Sequence, residues 1–155
     1  LPIIKGRTLK GLFVEACADI LFGLKQCAPS VHDKFMPIAD SLFGKPGSSL
    51  DSTGKLHFGT ATLPTDFITK LTELNQPKET VLNTLTTIRH QTAVDDEDKP
   101  KDTSLRATRV VLRGTIFHAY ISHPELSEDE IAFLWACANT VRHAGQNRTR
   151  GLGHI

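Results

Sequence analysis

The sequence predicts an α+β domain, and three stretches carry that prediction. Residues 8–24 repeat apolar side chains at helical spacing. The stretch "RVVLRGTIFHAYIS", residues 109–122, is dense in β-branched and aromatic residues, the composition of strands. The stretch "LSEDEIAFLWACANTVRH", residues 126–143, opens on a helix-capping signature.

The elements follow in chain order. In "TLKGLFVEACADILFGL", Thr8 is placed to cap a helix whose apolar face is Leu9, Leu12, Phe13, Ala16, Cys17, Ile20 and Leu24. Gly23 marks its stop. Gly11 costs such a helix about 1 kcal/mol relative to Ala, so close approach of a backbone or a ligand is expected there. Residues 28–54 read as loop, broken by Pro29, Pro37, Pro46 and a Gly-Ser run, with "DSLFG" as one helical turn. "KLHFGTA" alternates and reads as a strand, with Leu56, Phe58 and Thr60 on one side. Residues 64–107 are polar and Thr-rich, with a short helix expected in "NQPKETVLNTLTTI". "TIRHQTA" and "SLRATRVV" read as two legs of a hairpin around the charged tip "AVDDEDKPKDTS". In the strand stretch that follows, Gly114 suggests a bulge or a break between two strands.

The last helix is the most strongly signalled. Ser127 and Glu130 form a capping box, and Leu126 and Ile131 stand at the positions of a hydrophobic staple. Glu128, Asp129 and Glu130 suit the positive end of the helix dipole, and Arg142 and His143 the negative end. The expected buried stripe is Ile131, Leu134, Trp135, Ala138 and Val141. The order is helix, strand, insertion, strand, helix, start of a strand. With one strand ahead of Leu1 and the last one completed, this is βαββαβ, the ferredoxin-like (RNA-recognition-type) fold with incomplete terminal strands. Residues 1–155 then form one domain, with an insertion over 62–107 that holds a hairpin at 88–108.

Composition narrows the function. At 155 residues, 39% hydrophobic and 23% charged, the chain suits a globular domain with a core. A net charge of +1 gives no global basic field, so any nucleic-acid site rests on local clusters. Cys17, Cys27 and Cys137 have no metal-ligand spacing and fit a reducing cytoplasm, with Cys17 and Cys137 as buried apolar groups. No apolar run reaches the roughly 20 residues of a membrane helix. The absence of an initiator Met and the halt at "RGLGHI" suggest a piece of a longer chain.

Three clusters carry candidate chemistry. "VRHAGQNRTRGLGHI" combines three glycines with three arginines. Such a turn exposes N–H groups and places planar donors for phosphate oxygens, and it equally fits a helix C-cap at Gly145 with solvated arginines. "KGRTLKG" puts Lys5, Arg7 and Lys10 at a helix N-terminus, where the dipole disfavours cations. A docked phosphate makes sense of that choice, and a solvated basic turn is the alternative. Arg89, His90, Arg106 and Arg109 lie on the hairpin legs. Asp95, Asp96, Glu97 and Asp98 near its tip suit either a divalent ion or a solvated loop. No histidine belongs to a zinc-protease motif or a Cys/His ligand set. His118 reads as structural. His32 beside Asp33 has the residue types of a general base and its orienter, although neighbours in a loop seldom face each other.

In this order the motifs resemble the RAMP superfamily, the repeat-associated proteins of CRISPR systems. "RTRGLGHI" resembles its glycine-rich loop, which leads from the second helix into the last strand. "IKGRTLKG" is similar to its entry into the first helix, and "LFGKPGSS" with "GKLHFGTATL" to the segment forming its next strand. "IRHQTAVDDEDKPKDTSLRATRVV" looks like its thumb hairpin, with His90 and Gln91 in place of the usual residues and no glycine at the tip.

The resemblance implies a guide-RNA (crRNA) binding backbone subunit, or a module of one, in a type III CRISPR effector of a prokaryotic cytoplasm. Its partners would be guide RNA, target RNA and other effector subunits, with no membrane. The implied RNA contacts are Lys5, Arg7, Thr8 and Lys10 at the first helix and Arg89 and Arg106 on the thumb. Arg142, Gln146, Asn147, Arg148, Arg150, Gly151 and Gly153 complete the set in the glycine-rich loop. No cofactor is implied within this chain. Target cleavage in the parent protein would use a divalent cation such as magnesium and an Asp upstream of Leu1. Two alternatives stay open: a guide-processing endoribonuclease with His32 or His57 as general acid–base, and a purely structural module.

Overall fold

Helix α1, Gly6–Cys27, carries the expected stripe, with Leu12, Ala16 and Cys17 buried and Phe13 and Ile20 packed on the core. The computed structural model describes residues 1–45, 53–92, 105–145 and 152–155. Within these, the fold is α+β, with five helices and two small antiparallel sheets. The described residues form two compact units, Ile4–Ala61 with Ala119–Ile155, and Leu1–Ile3 with Thr62–His118.

Several sequence expectations for α1 are corrected. Lys5, not Thr8, is the N-cap, and it makes no side-chain capping bond. Gly23 does not stop the helix, which runs on to Cys27. A Cβ at Gly11 would meet nothing, so no neighbouring backbone among the described residues explains that glycine. The close approach is at Gly6, where a Cβ would lie 2.0 Å from the Phe58 carbonyl oxygen.

The expected loop after α1 is largely a second helix, α2, Pro29–Phe43. Pro29 stands at its start, where the missing N–H is no loss. Pro37 lies inside and removes one helical hydrogen bond, a cost of about 3 kcal/mol. The spacing of Phe35, Ile38, Ala39, Leu42 and Phe43 overrides it, because burying a large apolar side chain returns roughly 1.5–3 kcal/mol. The Gly-Ser run at 46–52 lies outside the described residues.

Strand β1, His57–Phe58, pairs antiparallel with β4, Ile121–Ser122, with His57 opposite Ser122 and Phe58 opposite Ile121. Leu56 is buried and Phe58 half-buried as expected, but Thr60 is exposed and Ala61 takes the next inward place. Ile4 pairs with Ala61 through both backbone hydrogen bonds. Helix α5, Glu128–Thr140, has the expected capping box, Ser127 and Glu130 each bonding the other's backbone N–H.

The buried face of α5 is rotated from the expected one: of the expected stripe, Leu134 packs against the core and Ala138 and Val141 are half-buried. Glu130, Phe133 and Cys137 are buried, whereas Ile131 and Trp135 are 54% and 70% exposed. The helix is apolar nearly all round after Glu130, so the pattern had no unique inward face. Glu130 sets the rotation by turning inward to Lys55 and Ser41. Phe133 then stacks on Phe35, and Cys17, Ala39, Leu42, Phe43, Leu56, Phe133 and Cys137 form one core.

In the other unit, α3 (Thr65–Glu73), which the sequence did not announce, precedes α4 (Lys78–Leu85). The hairpin legs are as expected: β2, Thr86–Gln91, pairs antiparallel with β3, Arg106–Val111. Its tip, 93–104, with Asp95, Asp96, Glu97 and Asp98, lies outside the described residues. Gly114 makes a turn and not a bulge, with φ +83° and a Thr115 N–H to Leu112 carbonyl bond.

Candidate nucleic-acid interface

The start of α1 is built like an unfilled cap. Lys5 has extended dihedrals, and its carbonyl accepts from the Thr8 and Leu9 N–H groups at 2.9 and 3.1 Å. No side chain caps the helix and no acid stands in its first turn. Lys5, Arg7 and Thr8 are exposed and Lys10 is half-buried. Among the described residues, Lys5, Arg7 and Lys10 make no ion pair. Helix α5 shows the opposite design, with a capping box and three acids in its first turn.

The glycine-rich stretch is closed at its base. The Ala144 N–H donates to the Gly153 carbonyl at 2.7 Å, and the Ile155 N–H to the Arg142 carbonyl at 2.9 Å. The His143 and His154 rings meet edge to face, centroids 5.3 Å apart. Gly153 has φ +72°, and a Cβ there would lie 1.8 Å from the Ala144 oxygen, so this backbone pairing needs glycine. The C-cap expected at Gly145 is corrected: α5 ends at Thr140 with Val141 as C-cap, so Arg142 and His143 lie beyond its last turn. Both line an open cleft of about 330 Å³ with Leu12, Glu15, Asp19 and Thr140. Gln146, Asn147, Arg148, Arg150 and Gly151 lie outside the described residues.

On the hairpin, Arg89 faces Thr108 and Gln91 faces Arg106 across the ladder. Side chains alternate along strands, so Arg89 and Arg106 share one face, and both are exposed. Arg109 points to the other face and has a structural task. Its Nη1 donates to Asn83 Oδ1 and Thr86 Oγ1 at 3.1 and 2.9 Å, tying β3 to the end of α4. The structure therefore gathers Lys5, Arg7, Thr8 and Lys10 on one helix start and Arg89 with Arg106 on one hairpin face. These two groups belong to different units.

His32 and Asp33 do meet, Nδ1 to Oδ1 at 2.9 Å, and both lie in helix α2 and not in a loop. His57 is exposed on β1. Among the described residues, no group of three or more His, Cys, Asp or Glu is placed to hold a metal ion.

Sequence reasoning missed a polar hub at the start of α5. Lys55 Nζ donates to Glu130 Oε1 at 2.6 Å, Ser41 Oγ to the same oxygen at 3.0 Å, and the Ser127 N–H to Oε2 at 2.9 Å. The Lys55 ammonium, then the Ser127 N–H, hold the Glu130 carboxyl down at about 2. The signal was present in the capping box, but nothing local named Lys55, 75 residues away, as the partner. Pattern reading also passed over Tyr120, which is 86% exposed beside Gly59. No protein-family model matches the chain, and the curated proteins contain no match to its sequence.

Proposed function

We propose that the chain binds single-stranded guide RNA along its backbone, as a module of a type III CRISPR ribonucleoprotein of the RAMP superfamily in a prokaryotic cytoplasm. One observation carries the reading: α1 begins with Lys5 and Arg7, exposed and, among the described residues, without an ion pair, where a helix normally takes acids or a cap. A backbone phosphate satisfies the free N–H groups and both cations at once. Arg89 and Arg106 on one hairpin face are a second phosphate-sized cationic surface, consistent with a thumb lying along a guide–target duplex. In this reading the β1–β4 pair and the Ile4–Ala61 bridge are parts of a ferredoxin-like sheet on which α1 and α5 pack.

The test is RNA affinity as a function of salt. Lys5→Ala with Arg7→Ala should weaken binding of a single-stranded RNA. It should also flatten the log–log salt slope by about 1.4, two phosphate contacts at roughly 0.7 each. Arg148→Ala with Arg150→Ala should act in the same direction. Unchanged affinity in both pairs removes the reading.

A second reading is favoured by the His32–Asp33 contact, which is the geometry of an oriented general acid–base. An endoribonuclease of this kind would cut repeat RNA in the presence of EDTA and lose that activity in His32→Ala. Intact RNA after incubation with the wild-type chain ends it.

A further inference from the structure

Among the described residues, Tyr120 is the most exposed of the large hydrophobic side chains, and it stands directly before β4. Its carbonyl accepts the Gly59 N–H at 2.9 Å, extending the β1–β4 pairing by one residue. Phe58 and Ile121 pack on the core, so their neighbours His57, Gly59, Tyr120 and Ser122 point away from it. The outward face thus holds an aromatic ring opposite a glycine, with an exposed imidazole two pairs along the ladder. A ring turned to water with no apolar cover is a poor choice for stability, and it is the arrangement that stacks a nucleobase.

The same backbone joins this face to the cations. Gly6 packs on the Phe58 and Gly59 backbone, where a Cβ would be 2.0 Å from the Phe58 oxygen and 3.1 Å from the Gly59 carbonyl carbon. A Cβ at Gly59 would in turn lie 3.1 Å from the Tyr120 oxygen. Two glycines therefore bring the start of α1, the β1 strand and the Tyr120 strand into direct succession. Ile4 pairs with the far side of the β1 segment at Ala61, so Lys5 stands about two strand spacings, roughly 10 Å, from the Tyr120 strand. That separation is within the reach of a dinucleotide. Lys5 and Arg7, which have no counter-ion among the described residues, supply positive charge, and the face beside them supplies the ring.

We propose that Tyr120 is a stacking platform for one unpaired base of a single-stranded RNA whose adjacent phosphates lie on Lys5 and Arg7. The proposal rests on the RNA-binding reading above and adds to it a base contact on the sheet, away from the glycine-rich loop and the hairpin. Stacking is indifferent to base identity, since every base has a π-face, so the site holds the strand without reading sequence.

The experiment uses the full chain and a fluorescein-labelled oligouridylate, with affinity measured by anisotropy at several salt concentrations. Tyr120→Ala should bind about tenfold more weakly, as expected for one lost base stack. Its salt slope should match wild type, because no phosphate contact is removed. Tyr120→Phe should keep wild-type affinity. Tyr120 is the single tyrosine and Trp135 the single tryptophan, so in a Trp135→Phe background the tyrosine emission should be quenched on adding RNA. Wild-type affinity in Tyr120→Ala, or unquenched emission while RNA binds, overturns the platform and leaves the RNA-binding reading standing. A wild-type chain that binds no RNA overturns both.

Discussion

Glu130 shows how one residue can set the orientation of a helix. Its carboxylate is buried and accepts from Lys55, Ser41 and the Ser127 N–H. The folded pKa, about 2, lies below the ordinary carboxylate value of 4.5. A depressed carboxyl stabilises the fold above its unfolded pKa, and that contribution is lost as pH falls from about 4.5 through 2. Urea unfolding should therefore show stability dropping across that window, and Glu130→Gln should flatten the drop. Lys55 is partly exposed, so the pair is screened, and Lys55→Met should cost about 2 kcal/mol. The two glycines of α1 make a sharper contrast. Gly11→Ala should raise stability by up to about 1 kcal/mol, since the new methyl meets nothing. Gly6→Ala should lose roughly 1–3 kcal/mol by forcing α1 off the β1 backbone. Thermal melts of the two variants should move in opposite directions.

Among the elements, α5 and α2 mark what local sequence can and cannot announce. The capping box of α5 was legible because all its partners lie within four residues. Ser127→Ala should accordingly cost about 1 kcal/mol, read from the shift in unfolding midpoint. The inward face of α5 was not legible, because Ile131 and Trp135 look as apolar as Phe133 and Cys137. Helix α2 was hidden by Pro37, which locally forbids a helix that the core nevertheless rewards through Leu42 and Phe43. The hairpin was legible in its legs, whose strand composition flanks a polar tip.

Across the whole molecule, the two units differ in how much core they own. The unit of α1, α2, β1, β4 and α5 holds Leu42, Leu56, Phe133 and Cys137 almost fully buried. Among its described residues, the 62–118 unit buries Leu63 to that degree and only Leu85 and Thr86 besides, less completely. Few buried contacts mean cheap local opening. Native-state hydrogen exchange should find amides of β2 and β3 opening at lower free energy than those of α1 and α5. Equal protection in both units would contradict that assignment. Within the larger unit, Cys17 and Cys137 meet in the core, where the contact with Cys17 and burial push the Cys137 thiol well above the ordinary thiol range.

The sequence alone determined whatever depends on near neighbours: the apolar stripe of α1, the capping box of α5, the legs of the hairpin and the unusual cations at Lys5 and Arg7. Only the tertiary structure decided which face of α5 turns inward, that residues 29–43 are helical despite Pro37, and that Gly6 and not Gly11 is the close-packed glycine. It also decided that Tyr120 stands exposed beside Gly59, in succession with the start of α1. The physical reason is the same each time. Propensity and capping are energies of about 1 kcal/mol between residues a turn apart. Burial and buried ion pairs are larger, and they join residues such as Lys55 and Glu130 that no local pattern connects.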